Sequence, residues 1–325
     1  MSEAGPTESP TDFPLVQDLG GLYLLDTQHG GYFGTIGVYL LPGPGGTFAL
    51  LESGPASTLE TVLAGIREAG FAPERLTSVL VTHIHLDHAG AAGTLAQRYG
   101  AEVYVHENGA GHLIDPSRLL ASAERIYGDA MSALWGEMLP LPQHLLRPVR
   151  DGETLAILGH RLEVLYTPGH ASHHVAYLLG KTRLFTGDAA GIRLPGASTI
   201  RPALPPPEID LELWARSVQA MRQVGPEELL LTHFGSVGEP EAHFSELLKT
   251  HQLWSESILA GMNAGEGNTV LQERVAALSR GALVTEGASE ATIKRHSVSS
   301  NDAMTVAGVK RYWQKLHPER LVEGR

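Results

Sequence analysis

The sequence contains no cysteine. That absence excludes disulfides, cysteine-ligated zinc fingers, thiolate-held iron–sulfur clusters and cysteine nucleophiles. Positive charge is also scarce: 24 Lys and Arg stand against 36 Asp and Glu, a net charge of −12. An acidic chain repels phosphate backbones and anionic lipid surfaces, so neither nucleic acid nor a membrane is an expected partner. No run reaches the ~18 apolar residues of a membrane span. The opening residues, MSEAGPTESPTDFP, are polar and lack an apolar signal core. Residues 1–12 therefore read as a disordered tail, and a cytoplasmic location is the default.

What the chain does have is histidine, 16 in 325 residues, within a composition that is 42% hydrophobic. That balance fits a globular chain with a buried core. Short strand-like runs come first, at Leu22–Leu25, Val38–Leu41 and Phe48–Glu52. A helix is expected over Ser57–Ala69, where Leu59, Val62, Leu63 and Ile66 share a face and Gly70 stops it. Strands at Ser78–Val81 and Glu102–Val105 flank a short helix at Thr94–Tyr99. The alternation predicts a layered α/β fold. Gly109–Met138 reads as a helical insertion of the kind that covers a site. Strands resume at Arg161–Tyr166, Val175–Leu179, Arg183–Thr186 and Glu228–Leu231, with a helix at about Asp210–Val224. From Glu239 onward the pattern is mainly helical, broken at Gly261–Gly267.

Four strand ends share one layout. Apolar runs lead into His83, into His170 after Pro168-Gly169, into Asp188 and into His233. A buried strand is a rigid support, and the loop at its end presents a polar group. The first of these ends is the densest: His83-Ile84-His85-Leu86-Asp87-His88. Imidazole and carboxylate are ligands for zinc, iron and similar ions. His83 and His85 point the same way if their segment is extended, and Asp87 and His88 then turn toward a second ion.

The set His83-x-His85-x-Asp87-His88, then Thr167-Pro168-Gly169-His170, Thr186-Gly187-Asp188 and His233, resembles the metallo-β-lactamase superfamily over about residues 20–240. The resemblance implies a four-layer αββα sandwich with a binuclear site at one edge. It implies that His83, His85 and His170 hold one metal, that Asp87, His88 and His233 hold the other, and that Asp188 bridges both. It further implies a hydroxide between two divalent ions, zinc first with iron or manganese as alternatives, and Asp87 as the catalytic group passing a proton to the leaving group. Two close ions lower the pKa of a shared water and polarise a scissile carbonyl. Glu52, at the end of the second strand pair, matches an acid that supports a ligand histidine. On this reading residues 13–240 form the hydrolase domain, with the insertion at about 108–140, and 241–325 a helical C-terminal extension.

Departures narrow the branch. Asp188 stands where a cysteine marks the β-lactamases with zinc–cysteine ligation, and His85 stands where flavodiiron members carry glutamate. The second-metal ligands Asp87, His88 and His233 argue against single-iron sulfur dioxygenases. The expected activity is hydrolysis of a small ester, thioester or lactone. The alternatives are a non-catalytic metal-binding sensor and, less favoured, a phosphodiesterase or nuclease. His174, Tyr127, Ile192 and Phe234 are candidate pocket residues, joined by His173 and Trp135. Lys249, Lys294, Arg295, Lys310 and Arg311 read as a solvated face rather than as holders of glutathione carboxylates. The C-terminal helices either wall the site or make a homodimer.

Overall fold

The computed structural model describes residues 13–299 and 301–322, so the expected tail at 1–12 lies outside the described residues. Seven strands form the first sheet in chain order: β1 (Val16–Asp18), β2 (Tyr23–Asp26), β3 (Gly37–Pro42), β4 (Phe48–Leu51), β5 (Leu76–Leu80), β6 (Glu102–His106) and β7 (Leu146–Val149). The second sheet has the order β13-β12-β11-β10-β9-β8. Its strands are β8 (Thr154–Ile157), β9 (His160–Tyr166), β10 (Val175–Leu179), β11 (Arg183–Phe185), β12 (Glu228–Leu231) and β13 (Gly235–Val237).

β1 to β4 pair antiparallel, and β4 to β7 pair parallel. Parallel neighbours need crossovers, and helices supply them. α1 (Leu59–Glu68) joins β4 to β5, and α2 (Leu86–Ala89) and α3 (Ala92–Tyr99) join β5 to β6. The insertion joins β6 to β7 as three helices, α4 (Glu107–Ile114), α5 (Ser117–Tyr127) and α6 (Met131–Trp135). The sequence reads Asp115-Pro116 as a helix start within this stretch, and α5 begins just after it; Asp115 Oδ1 accepts from the Ser117 N–H at 3.1 Å. Proline disfavours a helical conformation at the residue before it.

Alternation along the strands creates the layers. Val38, Leu40 and Leu50 face outward onto α1 and α3, with Val62, Leu63, Ile66 and Leu95. Tyr39, Leu41 and Leu51 face inward and meet Val164, Tyr177, Phe185 and Leu230 of the second sheet. Leu178, Leu184, Leu229 and Leu231 cover the far side, against α7 (Leu211–Gln223) and α8 (Pro240–Asn263). The stack is helix, sheet, sheet, helix, as the αββα expectation has it. Each buried Leu, Ile or Val side chain contributes up to about 1.5–3 kcal/mol.

Three further helices follow: α9 (Asn268–Thr285), α10 (Glu290–Val298) and α11 (Asp302–Leu316). Leu271, Val275, Val306, Val309, Tyr312 and Trp313 bury against α8 and join the core of the outer layer. Among the described residues no helix is long and apolar enough to cross a membrane.

Candidate metal centre

The strand-end residues converge at one edge of the sandwich. His83 follows β5, His170 follows β9, Asp188 follows β11 and His233 follows β12. His83, His85, His170 and Asp188 form one group of potential ligands, and Asp87, His88 and His233 a second. His85 is extended (φ −60°, ψ 153°) and begins α2, so the next turn carries Asp87 and His88 to the second group.

In the first group His85 Nδ1 lies 2.9 Å from His83 Nε2 and 2.9 Å from His170 Nε2, and the last two are 3.2 Å apart. Asp188 Oδ2 stands 3.2 Å from His170 Nε2 and 3.9 Å from His83 Nε2. Asp188 Oδ1 turns the other way, 3.3 Å from both His88 Nε2 and His233 Nε2. Asp87 Oδ2 completes that side at 3.5 Å from His88 and 3.4 Å from His233. Ligands bound at about 2.0–2.1 Å around a tetrahedral ion stand about 3.3 Å apart. Both groups have that spacing.

The surroundings fix which ring nitrogen faces inward. Thr82 Oγ1 donates to Glu52 Oε1 at 2.6 Å, so it accepts from His83 Nδ1 at 3.0 Å. His170 Nδ1 donates to the Ala203 carbonyl and His233 Nδ1 to the Thr35 carbonyl, both at 2.8 Å. His88 Nδ1 donates to Glu52 Oε1 at 3.0 Å. With those Nδ1 atoms donating outward, the Nε2 atoms of His83, His170, His88 and His233 face the centre. His83 Nε2 and His170 Nε2 face each other at 3.2 Å, an arrangement that a shared cation satisfies. His88 Nε2 and Asp188 Oδ1 are buried without a hydrogen-bond partner among the described residues. Orphaned atoms of this kind fit a divalent ion.

Electrostatics divides the centre. Burial, reinforced by neighbouring imidazoles, holds His83 well below the ordinary histidine value and His85 down to about 4, which keeps both neutral. Burial would depress His233 too, but the Asp188 and Asp87 carboxylates override it and push it up to about 10. His88 rises in the same way, against burial, through Asp87, Asp188 and Glu52. Burial would raise Asp188; His88, His170 and His233 hold it below the usual carboxylate range. The carboxylates thus hold positive charge at this spot, and a metal ion displaces such protons when it binds.

Glu52 is the hub of the support. It accepts from His88, from the Thr82 N–H (3.1 Å) and hydroxyl, and from Thr232 Oγ1 (3.2 Å). Its backbone sits at φ +67°, uncommon for a side-chain-bearing residue.

The centre opens on a chamber of about 780 Å³. Tyr127, Trp135 and Ile192 line it. Two candidates are corrected. His174 is fully buried away from the chamber: Nδ1 meets Thr167 Oγ1 at 2.8 Å, and Nε2 accepts the Asp188 N–H at 3.2 Å. It holds the Asp188 loop. Phe234 packs on the inter-sheet core and lines a separate cleft, because its backbone pairs with Arg193 (N–H to carbonyl, 3.2 Å). His173 is buried beside His83 and His85 and does not line the chamber. Nor do Lys249, Lys294, Arg295, Lys310 or Arg311.

Sequence reasoning misses the supporting threonines. Their signal is present: Thr82, Thr167, Thr186 and Thr232 recur just past a strand. The roles of the Thr35 and Ala203 carbonyls leave no mark in residue type.

The sequence profile of the Metallo-beta-lactamase superfamily matches residues 31–233. The metallo-beta-lactamase fold-containing protein ST1585 of Sulfurisphaera tokodaii is 30% identical over 213 residues, covering 64% of this chain and 78% of that protein. Its crystal structure superposes with a TM-score of 0.59, at 27% identity, covering 72% of this chain and 87% of that one. Protein TTHA1429 of Thermus thermophilus, at 24% identity, shares the fold over 91% of this chain and 94% of its own, with a TM-score of 0.65. A hydroxyacylglutathione hydrolase of Thiobacillus denitrificans is 34% identical over 115 residues, only 35% of this chain and 32% of that protein. Profile, fold and ligand pattern agree: the chain belongs to the metallo-beta-lactamase superfamily.

Proposed function

We propose that the chain is a binuclear metal-dependent hydrolase of small esters, thioesters or lactones. The observation that carries the reading is Asp188, whose two carboxylate oxygens face different ligand groups at the floor of an open chamber. His83, His85 and His170 would hold one cation, Asp87, His88 and His233 the other, and Asp188 both. Zinc suits this donor set best, with iron and manganese as alternatives. When bound, two such cations supply an activated water and polarise a carbonyl.

The chain's own residues do the rest. Glu52, Thr82 and the Thr35 and Ala203 carbonyls lock the imidazoles in one tautomer, so the centre is organised before substrate arrives. Asp87 is the more accessible carboxylate, its side chain 22% exposed against 6% for Asp188. It lines the chamber and is the group placed to carry a proton to the departing alcohol or thiol.

The test is a hydrolysis screen with p-nitrophenyl esters, homoserine lactones, lactoylglutathione and a phosphotriester. Turnover of a carboxylic ester that a chelator abolishes, zinc restores and His85→Ala removes supports the reading. Chelator-insensitive turnover, or none across the panel in metal-replete protein, contradicts it. With no cysteine in the chain, a thiol-blocking reagent should leave activity intact.

A further inference from the structure

The chamber carries information about the substrate that the metal ligands do not. Arg201 is the one Lys or Arg among its described lining residues, and it is already engaged. Its guanidinium is buried, pairs with Asp302 Oδ1 at 2.9 Å, donates to the His296 carbonyl at 3.1 Å and lies over the Trp254 ring. Asp302 is thereby neutralised as well. Beyond Asp87 and Asp188 of the centre, no carboxylate without a cationic partner lines the space among the described residues.

Its walls are apolar where a folded chain would hide such surface. α5 is amphipathic, yet Ala123 is its one buried residue. Its apolar stripe of Leu119, Ala123, Ile126 and Tyr127 looks into the chamber. Ile126 and Val298, both lining the chamber, are each 42% exposed, two of the few large hydrophobic side chains so open. Tyr127 Oη meets Met304 Sδ at 3.4 Å, so the insertion and α11 close over the space together. An exposed apolar patch at a concave site marks a ligand surface.

We infer that the chamber takes an uncharged ester with an aliphatic acyl chain, the hydrocarbon lying along α5 and the carbonyl reaching the centre. Anionic conjugates are disfavoured: away from the centre, glutathione carboxylates would meet no free Lys or Arg among the described lining residues. Hydrolysis of such an ester breaks the acyl C–O bond, adds water's hydroxyl to the carbonyl carbon and gives the proton to the alcohol. This inference rests on the hydrolase reading for its reaction, but not for binding.

The experiment measures binding of non-hydrolysable probes to metal-replete protein by calorimetry. The neutral ketones 2-decanone and 2-butanone are compared with S-methylglutathione. 2-Decanone should bind at least about tenfold more tightly than 2-butanone, through the added methylenes, and S-methylglutathione more weakly than 2-decanone. Ile126→Lys, with folding checked by its thermal midpoint, should weaken 2-decanone at least about fivefold. Equal affinity for the two ketones, or tighter binding of S-methylglutathione, overturns the inference while leaving the hydrolase reading standing. Selective 2-decanone binding without turnover of any ester supports it and sinks the hydrolase reading instead.

Discussion

Glu52 Oε1 lies 3.0 Å from His88 Nδ1, on the side of the ring away from the ligand atoms. The pair is buried, and the same carboxylate reaches His83 through the Thr82 hydroxyl. One acid outside both ligand groups therefore orients a histidine in each.

Glu52→Gln removes one of the two acceptor oxygens while keeping the side chain's shape. Losing such a support weakens metal affinity by about 10–100-fold. Competition with a chromophoric chelator reads this directly; an affinity equal to wild type would show that Glu52 only packs.

Gly187 precedes Asp188 at φ +49°, and a Cβ there would stand 2.4 Å from Thr82 Oγ1 and 2.7 Å from His174 Nε2. Gly187→Ala should cost about 2 kcal/mol or more in urea unfolding, from backbone strain plus the clash. It should also lower metal occupancy, because Thr82 and the Asp188 loop must shift. Unchanged stability would contradict the packing described.

The Arg201–Asp302 pair ties the proline-rich loop that supports His170 to the start of α11. Burial pushes Arg201 down to about 10 even with Asp302 beside it. Asp302→Asn strands a buried cation and should destabilise by about 3 kcal/mol. Replacing both residues by apolar ones should cost less than Asp302→Asn alone. Additive losses in that double-mutant cycle would mean the pair is not coupled.

Three buried histidines of the outer helical layer give a pH signature. Burial holds His251 at about 3, and His243 and His296 at about 4. The unfolded chain, with histidine near 6.5, binds protons first as pH falls. Stability is therefore full above about pH 6.5 and drains away toward pH 4, at roughly 1.4 kcal/mol per pH unit for each histidine. His251→Leu removes one such group. The stability advantage of wild type over this variant should shrink from pH 7 to pH 4.5, and a constant difference would contradict the assignment.

Much of this is legible in the sequence for a physical reason. Candidate ligands such as His83 and Asp188 must be specific residue types at the ends of apolar strands, so both type and place leave a record. The unbroken apolar run Val38-Tyr39-Leu40-Leu41 records a strand buried on both faces in the same way. β1, β7, β8 and β13 bury at most one apolar side chain each, so they leave no apolar run to read, unlike the equally short β4 and β12. His174 is misplaced by sequence because a histidine near a site reads alike whether it meets substrate or braces a loop. The closing of the chamber by Tyr127 and Met304 joins residues 177 positions apart, which no local pattern encodes.

If two cations share Asp188, each chain carries two ions. The most direct measurement is metal content per chain by mass spectrometry after zinc reconstitution and removal of free metal, on wild type and on Asp188→Ala. About two ions per wild-type chain and loss of at least one in the variant are expected. Fewer than one ion per wild-type chain, or a variant that retains two, would contradict that sharing.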